Sequence, residues 1–250
     1  MIRPIQSIFF FLFLFCLSSF SIAQTELNKT DAQGKKQGFW RKNFPDGTPR
    51  YEGNFKDNQP EGVFRYYQET GALKMVCYYS DKGLHSHAKG FDPKGFIISD
   101  GNYYDQKKDS TWTFYNEQKQ VLSREVYKKG SREGTWFIYY PEGPVSEEIS
   151  YLNDQKNGFW GQYFEDGTKR LTASFKEGKQ HGKTTYYHAN GKMKLSGNYI
   201  DDIRQGTWYH FDETGNLTET EVFKDGVSDK PNILNLKKLD KDEKEILPGQ

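Results

Sequence analysis

Cysteine is nearly absent: the 250-residue chain has two, Cys16 and Cys77. Cys16 falls in an apolar leader, so a processed chain keeps one thiol and forms no internal disulfide. Its stability has to come from packing. No charge of one sign dominates, with 35 basic and 34 acidic residues. That balance excludes the basic surface that a nucleic-acid binder or a polybasic membrane binder needs. Long apolar runs are also missing. The one that exists, residues 8–17, is about half the ~20 residues that span a bilayer. No Gly-x-Ser-x-Gly, phosphate-cradling loop or paired histidine set is present, and no extended helical periodicity interrupts residues 38–229.

What the chain does have begins with a leader. Arg3, the apolar run and Ser21-Ile22-Ala23 read as a secretory signal peptide over residues 1–23, cleaved to leave Gln24 first. The residues before Cys16, Phe13-Leu14-Phe15, lack the small side chains of a lipidation site. Arg3 is the only charge ahead of Gln24, so cleavage leaves 34 basic against 34 acidic residues. The expected location is therefore outside the cytoplasm, periplasmic or extracellular, with no transmembrane segment left. Asn28-Lys29-Thr30 and Asn216-Leu217-Thr218 match the glycosylation sequon.

From residue 38 onward the sequence repeats every 24 residues, with eight units starting at 38, 62, 86, 110, 134, 158, 182 and 206. The third place holds all five tryptophans, Trp40, Trp112, Trp136, Trp160 and Trp208. Phe64 stands there in unit two, and Ala88 and Thr184 stand there in units three and seven. The sixth place is aromatic in seven units, as Tyr67, Phe91, Tyr115, Tyr139, Tyr163, Tyr187 and Phe211. The tenth is glycine in seven, Gly47, Gly71, Gly95, Gly143, Gly167, Gly191 and Gly215, with Lys119 the exception. The eighteenth is aromatic in all eight. The first place is Gly except at Ser86 and Ser110.

Each unit predicts one β-hairpin. An aromatic strand over places two to seven leads to a type I turn whose tenth-place glycine takes the left-handed conformation. A second strand follows over places eleven to eighteen, and a polar linker returns to the next unit. The expected architecture is an all-β, elongated, single twisted antiparallel meander of stacked hairpins. Within a strand, the third and sixth places face opposite sides, so tryptophans line one face and tyrosines the other. Stacking of equal places explains such ladders, since one hairpin alone buries too little.

The pattern G-x-W-x-x-Y-[YF]-x-[DN]-G, then an aromatic and a Lys-Asp-Gly or Lys-Glu-Gly linker, resembles the MORN-repeat variant. It is similar to exported bacterial proteins with an antitoxin-like label. The resemblance implies a non-catalytic scaffold that contacts proteins or membranes. The ends read as an N-terminal cap segment over residues 24–37 and a polar segment over 230–250 that is either a short capping helix or a tail.

Candidate chemistry is thin. His85 and His87 form a lone pair in a loop without ligands to complete a metal site. Cys77 falls at the sixteenth place, among Gly53, Gly101, Ala173 and Gly197, and reads as a small buried residue. No catalytic, metal or cofactor residue is assigned, and no cofactor is expected. The function expected is an exported, monomeric, non-catalytic scaffold for a protein or cell-envelope partner. An immunity-type inhibitor of a toxin and a glycan-binding or hydrolytic module are the alternatives.

Overall fold

The computed structural model describes residues 26–230, so the leader and nearly all of the C-terminal segment lie outside the described residues. Those described form one antiparallel sheet in which consecutive long strands pair. There are sixteen long strands, from Lys36–Asn43 to Leu217–Lys224, and four two-residue strands, Lys29–Thr30, Ser131–Arg132, Lys179–Gln180 and Val227–Ser228. Lys29–Thr30 pairs only with the first long strand, and Val227–Ser228 only with the last. Among the described residues no pairing joins the two ends, and the sheet is open.

Both kinds of turn follow from the residues in them. At the tip of each hairpin the tenth-place N–H donates to the seventh-place carbonyl, as Gly47 does to Phe44 at 3.0 Å and Gly167 to Phe164 at 2.9 Å. Gly47 has φ +91°, and Lys119 takes the same left-handed conformation at φ +63°. The polar linker is not a passive return. The long strands run through it, and the chain reverses in a two-residue turn such as Asp57–Asn58, with φ +51° and +69°. Both residues being left-handed marks the type I′ turn, which matches the twist of the flanking strands. An amide of these turns reaches one unit back: Asn58 N–H donates to the Lys36 carbonyl at 3.1 Å, Gly130 N–H to the Lys108 carbonyl at 2.7 Å, and, from the first turn residue, Asp105 N–H to the Leu84 carbonyl at 2.7 Å.

After that turn, the first-place residue forms a bulge. Gly38, Gly62, Gly134, Gly158, Gly182 and Gly206 all have positive φ, and Ser110 adopts the same conformation at +59°. Unit three solves the problem differently. Its first place is Ser86, no bulge interrupts the register from Met75↔Gly90 to Ser80↔His85, and the reversal takes four residues, Asp81 to Leu84, around a short 3₁₀ turn. Two residues leave the bulge and two enter the turn, so the 24-residue period survives.

The core lies on the tryptophan face. Phe64, Cys77, Ala88 and Trp112 form one buried cluster flanked by Tyr51, Phe55, Tyr66, Tyr79, Tyr103, Phe114 and Tyr127. Trp208, Phe223, Ile149, Tyr151, Leu171 and Ala173 continue the buried set on that face. The sixth-place rings on the other face are half-buried, and two of them tie to carboxylates: Tyr67 Oη donates to Glu52 at 2.7 Å, and Tyr163 Oη to Glu148 at 3.1 Å.

Candidate binding surface

The third-place tryptophans are not equivalent. Trp112 and Trp208 are buried, while Trp40, Trp136 and Trp160 are half-buried. The residue at place sixteen of the preceding unit decides this. Gly101 lies under Trp112 and Gly197 under Trp208, so close that a Cβ would come within 2.3 Å and 2.1 Å of the rings. Gly53 stands under Phe64 in the same way, at 2.4 Å. Before Trp136 and Trp160 that place holds Glu125 and Ile149, and their side chains keep the indoles from sinking as far. Where place sixteen is Cys77 or Ala173, the third place of the next unit shrinks to Ala88 or Thr184, both 0% exposed. The fully buried rings are thus the ones that sit on glycine, as close packing requires.

A second set of residues on this face was legible in the sequence but hidden in the linkers. Four residues before each tryptophan stands a cation: Lys36, Lys108, Arg132, Lys156 and Arg204. All five lie over the indole that follows, with the Lys Nζ or Arg Cζ 4.5–6.0 Å from the ring centroid. All five also cover the eighteenth-place ring of that unit, as Lys156 covers Phe175 at 5.2 Å and Arg204 covers Phe223 at 5.2 Å. Such contacts contribute roughly 0.5–2 kcal/mol each, depending on desolvation. Lys108 is the deepest, 4.9 Å over Trp112, 4.6 Å over Phe114 and 4.8 Å over Tyr127. Burial among the rings pulls its ammonium below the usual lysine range. The three units without tryptophan have no cation at this place; they carry Pro60, Leu84 and Gln180.

Units three and seven show what replaces the missing indole. In unit seven a polar pair fills the space: Gln180 Nε2 donates to Thr184 Oγ1 at 2.7 Å, with Thr185 and Ser196 hydroxyls 3.1 Å apart on the other face. Around unit three a hollow remains. Its main part, about 620 Å³, is lined by Tyr51, Phe55, Phe64, Tyr66 and Tyr79 and bordered by the Asp81–Leu84 turn. A smaller part of about 250 Å³ reaches Cys77, Ser86 and Tyr103. Tyr66 and Tyr79 hydroxyls meet at 2.8 Å on its floor. Burial, then the hydrogen bond to Tyr79, drives the Tyr66 phenol well above its ordinary value. Burial also pushes the Cys77 thiol up to about 11, which keeps it neutral and unreactive.

The histidines are spread along the array. His87 contacts Asp100 at 3.0 Å, His181 contacts Asp201 at 3.2 Å, and His188 Nε2 donates to the Phe211 carbonyl at 2.9 Å. Among the described residues no group of three or more His, Cys, Asp or Glu side chains could hold a metal ion. No helix among them is long and apolar enough to cross a membrane.

The family described as MORN repeat variant matches residues 132–153, 180–201 and 204–225, and the chain carries repeats of this type. Each matched stretch begins at the cation place, on Arg132, Gln180 or Arg204, and ends on the first residue of a two-residue turn. The family unit is therefore one complete hairpin between successive type I′ turns. No curated protein matches the chain. The solved structure of TarM matches 38% of this chain and 19% of its own length, at 16% identity and a TM-score of 0.30. The Photorhabdus luminescens Tc holotoxin pore matches 74% of this chain and 11% of its own, at 14% identity and a TM-score of 0.21. A porin-like protein from Bacteroides uniformis matches 76% of this chain and 91% of its own, at 12% identity and a TM-score of 0.20. The chain spans a fifth or less of the first two, and likenesses this weak carry no argument.

Proposed function

We propose that the chain is an exported, non-catalytic repeat scaffold that binds a protein partner at the cell envelope. MORN repeats are suited to binding and are generally non-catalytic. The observation that carries the reading is the division of labour between the two sheet faces. One face spends its aromatic residues on the core. The other exposes Tyr78, Ile98, Leu122, Phe159, Tyr209 and Val222, distributed over units two to eight. Large apolar side chains left in solvent on a regular, extended surface are what a docking protein covers. The leader over residues 1–23 supports export.

Two measurements test it. Mass spectrometry of the protein from the culture should find Gln24 at the N-terminus; a form that keeps Met1 overturns export. Affinity capture from the native envelope fraction should recover a stoichiometric protein that Leu122→Glu and Tyr209→Glu release. A partner held equally by the wild type and both variants would remove this face from the reading.

A further inference from the structure

The repeats themselves show what the hollow between units two and three recognises. Phe64, Tyr66 and Tyr79 occupy places three, five and eighteen of unit two, the places that Trp112, Phe114 and Tyr127 occupy in unit four. The geometry of the first two rings repeats as well. Phe64 and Tyr66 lie 6.2 Å apart at 29°, and Trp112 and Phe114 lie 6.1 Å apart at 28°. In unit four the three rings surround the Lys108 ammonium. In unit two the residue at the lysine's place is Pro60, and among the described residues no Lys or Arg lies over these rings. All three rings instead line the 620 Å³ hollow.

We infer that this hollow is a docking nest for a lysine or arginine side chain of a protein partner, an inference that rests on the scaffold reading above. Tyr66 and Tyr79 are half-buried beside a buried Phe64, and the negative faces of such rings attract a cation that enters the hollow. Charge at the rim agrees. The carboxylates of Asp81 and Asp105 border the hollow beside Lys82, while the Lys36 ammonium is held over Phe55 at 4.6 Å and bonded to the Tyr51 hydroxyl. The unusual turn gives the nest its entrance. Gly83 packs on Pro60, where a Cβ would stand 2.7 Å from the ring, so the turn is held against one wall of the hollow. Unit seven is the internal control. It too lacks the tryptophan and the cation, but Gln180 and Thr184 close the space with their own hydrogen bond.

The test is an NMR titration of the full chain with acetyl-Gly-Lys-Gly-Lys-Gly-amide and with the same peptide carrying norleucine for lysine. The lysine peptide should shift the ring resonances of Phe64, Tyr66 and Tyr79, and norleucine should weaken binding by about ten-fold or more. Pro60→Lys places a tethered ammonium over the rings and should abolish the peptide's effect, while Pro60→Gln should retain it. If the Pro60 variants disturb the fold, as amide spectra would reveal, Tyr66→Leu removes one ring and should weaken the lysine peptide alone. Equal binding of the two peptides, or lysine binding that survives Pro60→Lys, overturns the inference. An envelope partner captured equally well by Pro60→Lys would overturn the nest and leave the scaffold reading standing.

Discussion

Trp208 and Trp160 stand at the same place of units eight and six, yet one is 0% exposed and the other half-exposed. Their own hairpins are alike. Each sits under a cation, Arg204 at 4.5 Å and Lys156 at 4.6 Å, and each meets the eighteenth-place ring of its own unit edge-on. The difference lies one strand earlier, in Gly197 against Ile149. The lesson is that a repeat place is defined by its neighbour in the preceding unit as much as by its own side chain. Trp208 belongs to the core; Trp160 lies across its surface and sends its indole N–H to the Glu147 carboxylate.

The largest expected effect follows from that contrast. Trp208→Ala should lower the stability of the array by about 3–5 kcal/mol in urea unfolding, the range for a fully buried aromatic. Trp160→Ala should cost less, about half as much, because its ring is only partly buried. Equal losses would break the comparison. A Cβ at Gly197 would strike the Trp208 ring at 2.1 Å, so Gly197→Ala should cost roughly 1–3 kcal/mol as the core overpacks. Gly161→Ala meets the far ends of Phe159 and Tyr163 on the other face, which can swing aside, and should cost under about 1 kcal/mol. If the two alanines prove equivalent, the rings over the glycines have room to move.

Smaller effects sharpen the same point about place. Ser110 holds the bulge in a left-handed conformation that glycine supplies in six other units. Ser110→Gly should therefore raise the unfolding free energy by up to about 1 kcal/mol, seen as a higher urea midpoint, after the entropy lost by a freer chain is set against the relieved strain. The smallest effect is electrostatic. The Thr214 hydroxyl, then the Asn216 amide, holds the Asp212 carboxyl down to about 2 in the last hairpin tip. Its folded value is depressed, so its contribution is present above the unfolded value near 3.8 and is lost as pH falls toward 2. Asp212→Asn should remove that contribution at neutral pH and so flatten the acid limb of the stability curve between those values.

Much of this was legible in the sequence for a physical reason. Strict spacing with no insertions lets every tryptophan fall in one phase, and stacked hairpins are the arrangement that uses such a phase. The tip turns were equally clear, because Gly47 and its equivalents stand where only a left-handed residue closes the turn. The cations were overlooked although Lys36-x-x-x-Trp40 and Arg204-x-x-x-Trp208 are plain once seen. They sit in polar linkers, and charged linker residues read as solvated. The linkers also concealed strands, since Asp57–Asn58 reverses the chain in two residues and leaves the rest free to pair. The hollow could not be read at all. It arises because unit three moves two residues from bulge to turn while Ala88 and Pro60 replace an indole and a cation, and a constant period masks that exchange.

That exchange makes chain length a measure of distance. Each unit contributes two strands at about 4.8 Å apiece, so the array is graduated in steps of roughly 10 Å. Because unit three keeps the step while changing its turn, the nest beside it can be specialised without shifting any mark farther along. Trp208 stands five units beyond Ala88, on the order of 50 Å along the sheet. A partner that grips both the nest and the last hairpins is therefore held to a fixed calliper setting, and adding or removing one whole unit between them would reset it by a single graduation.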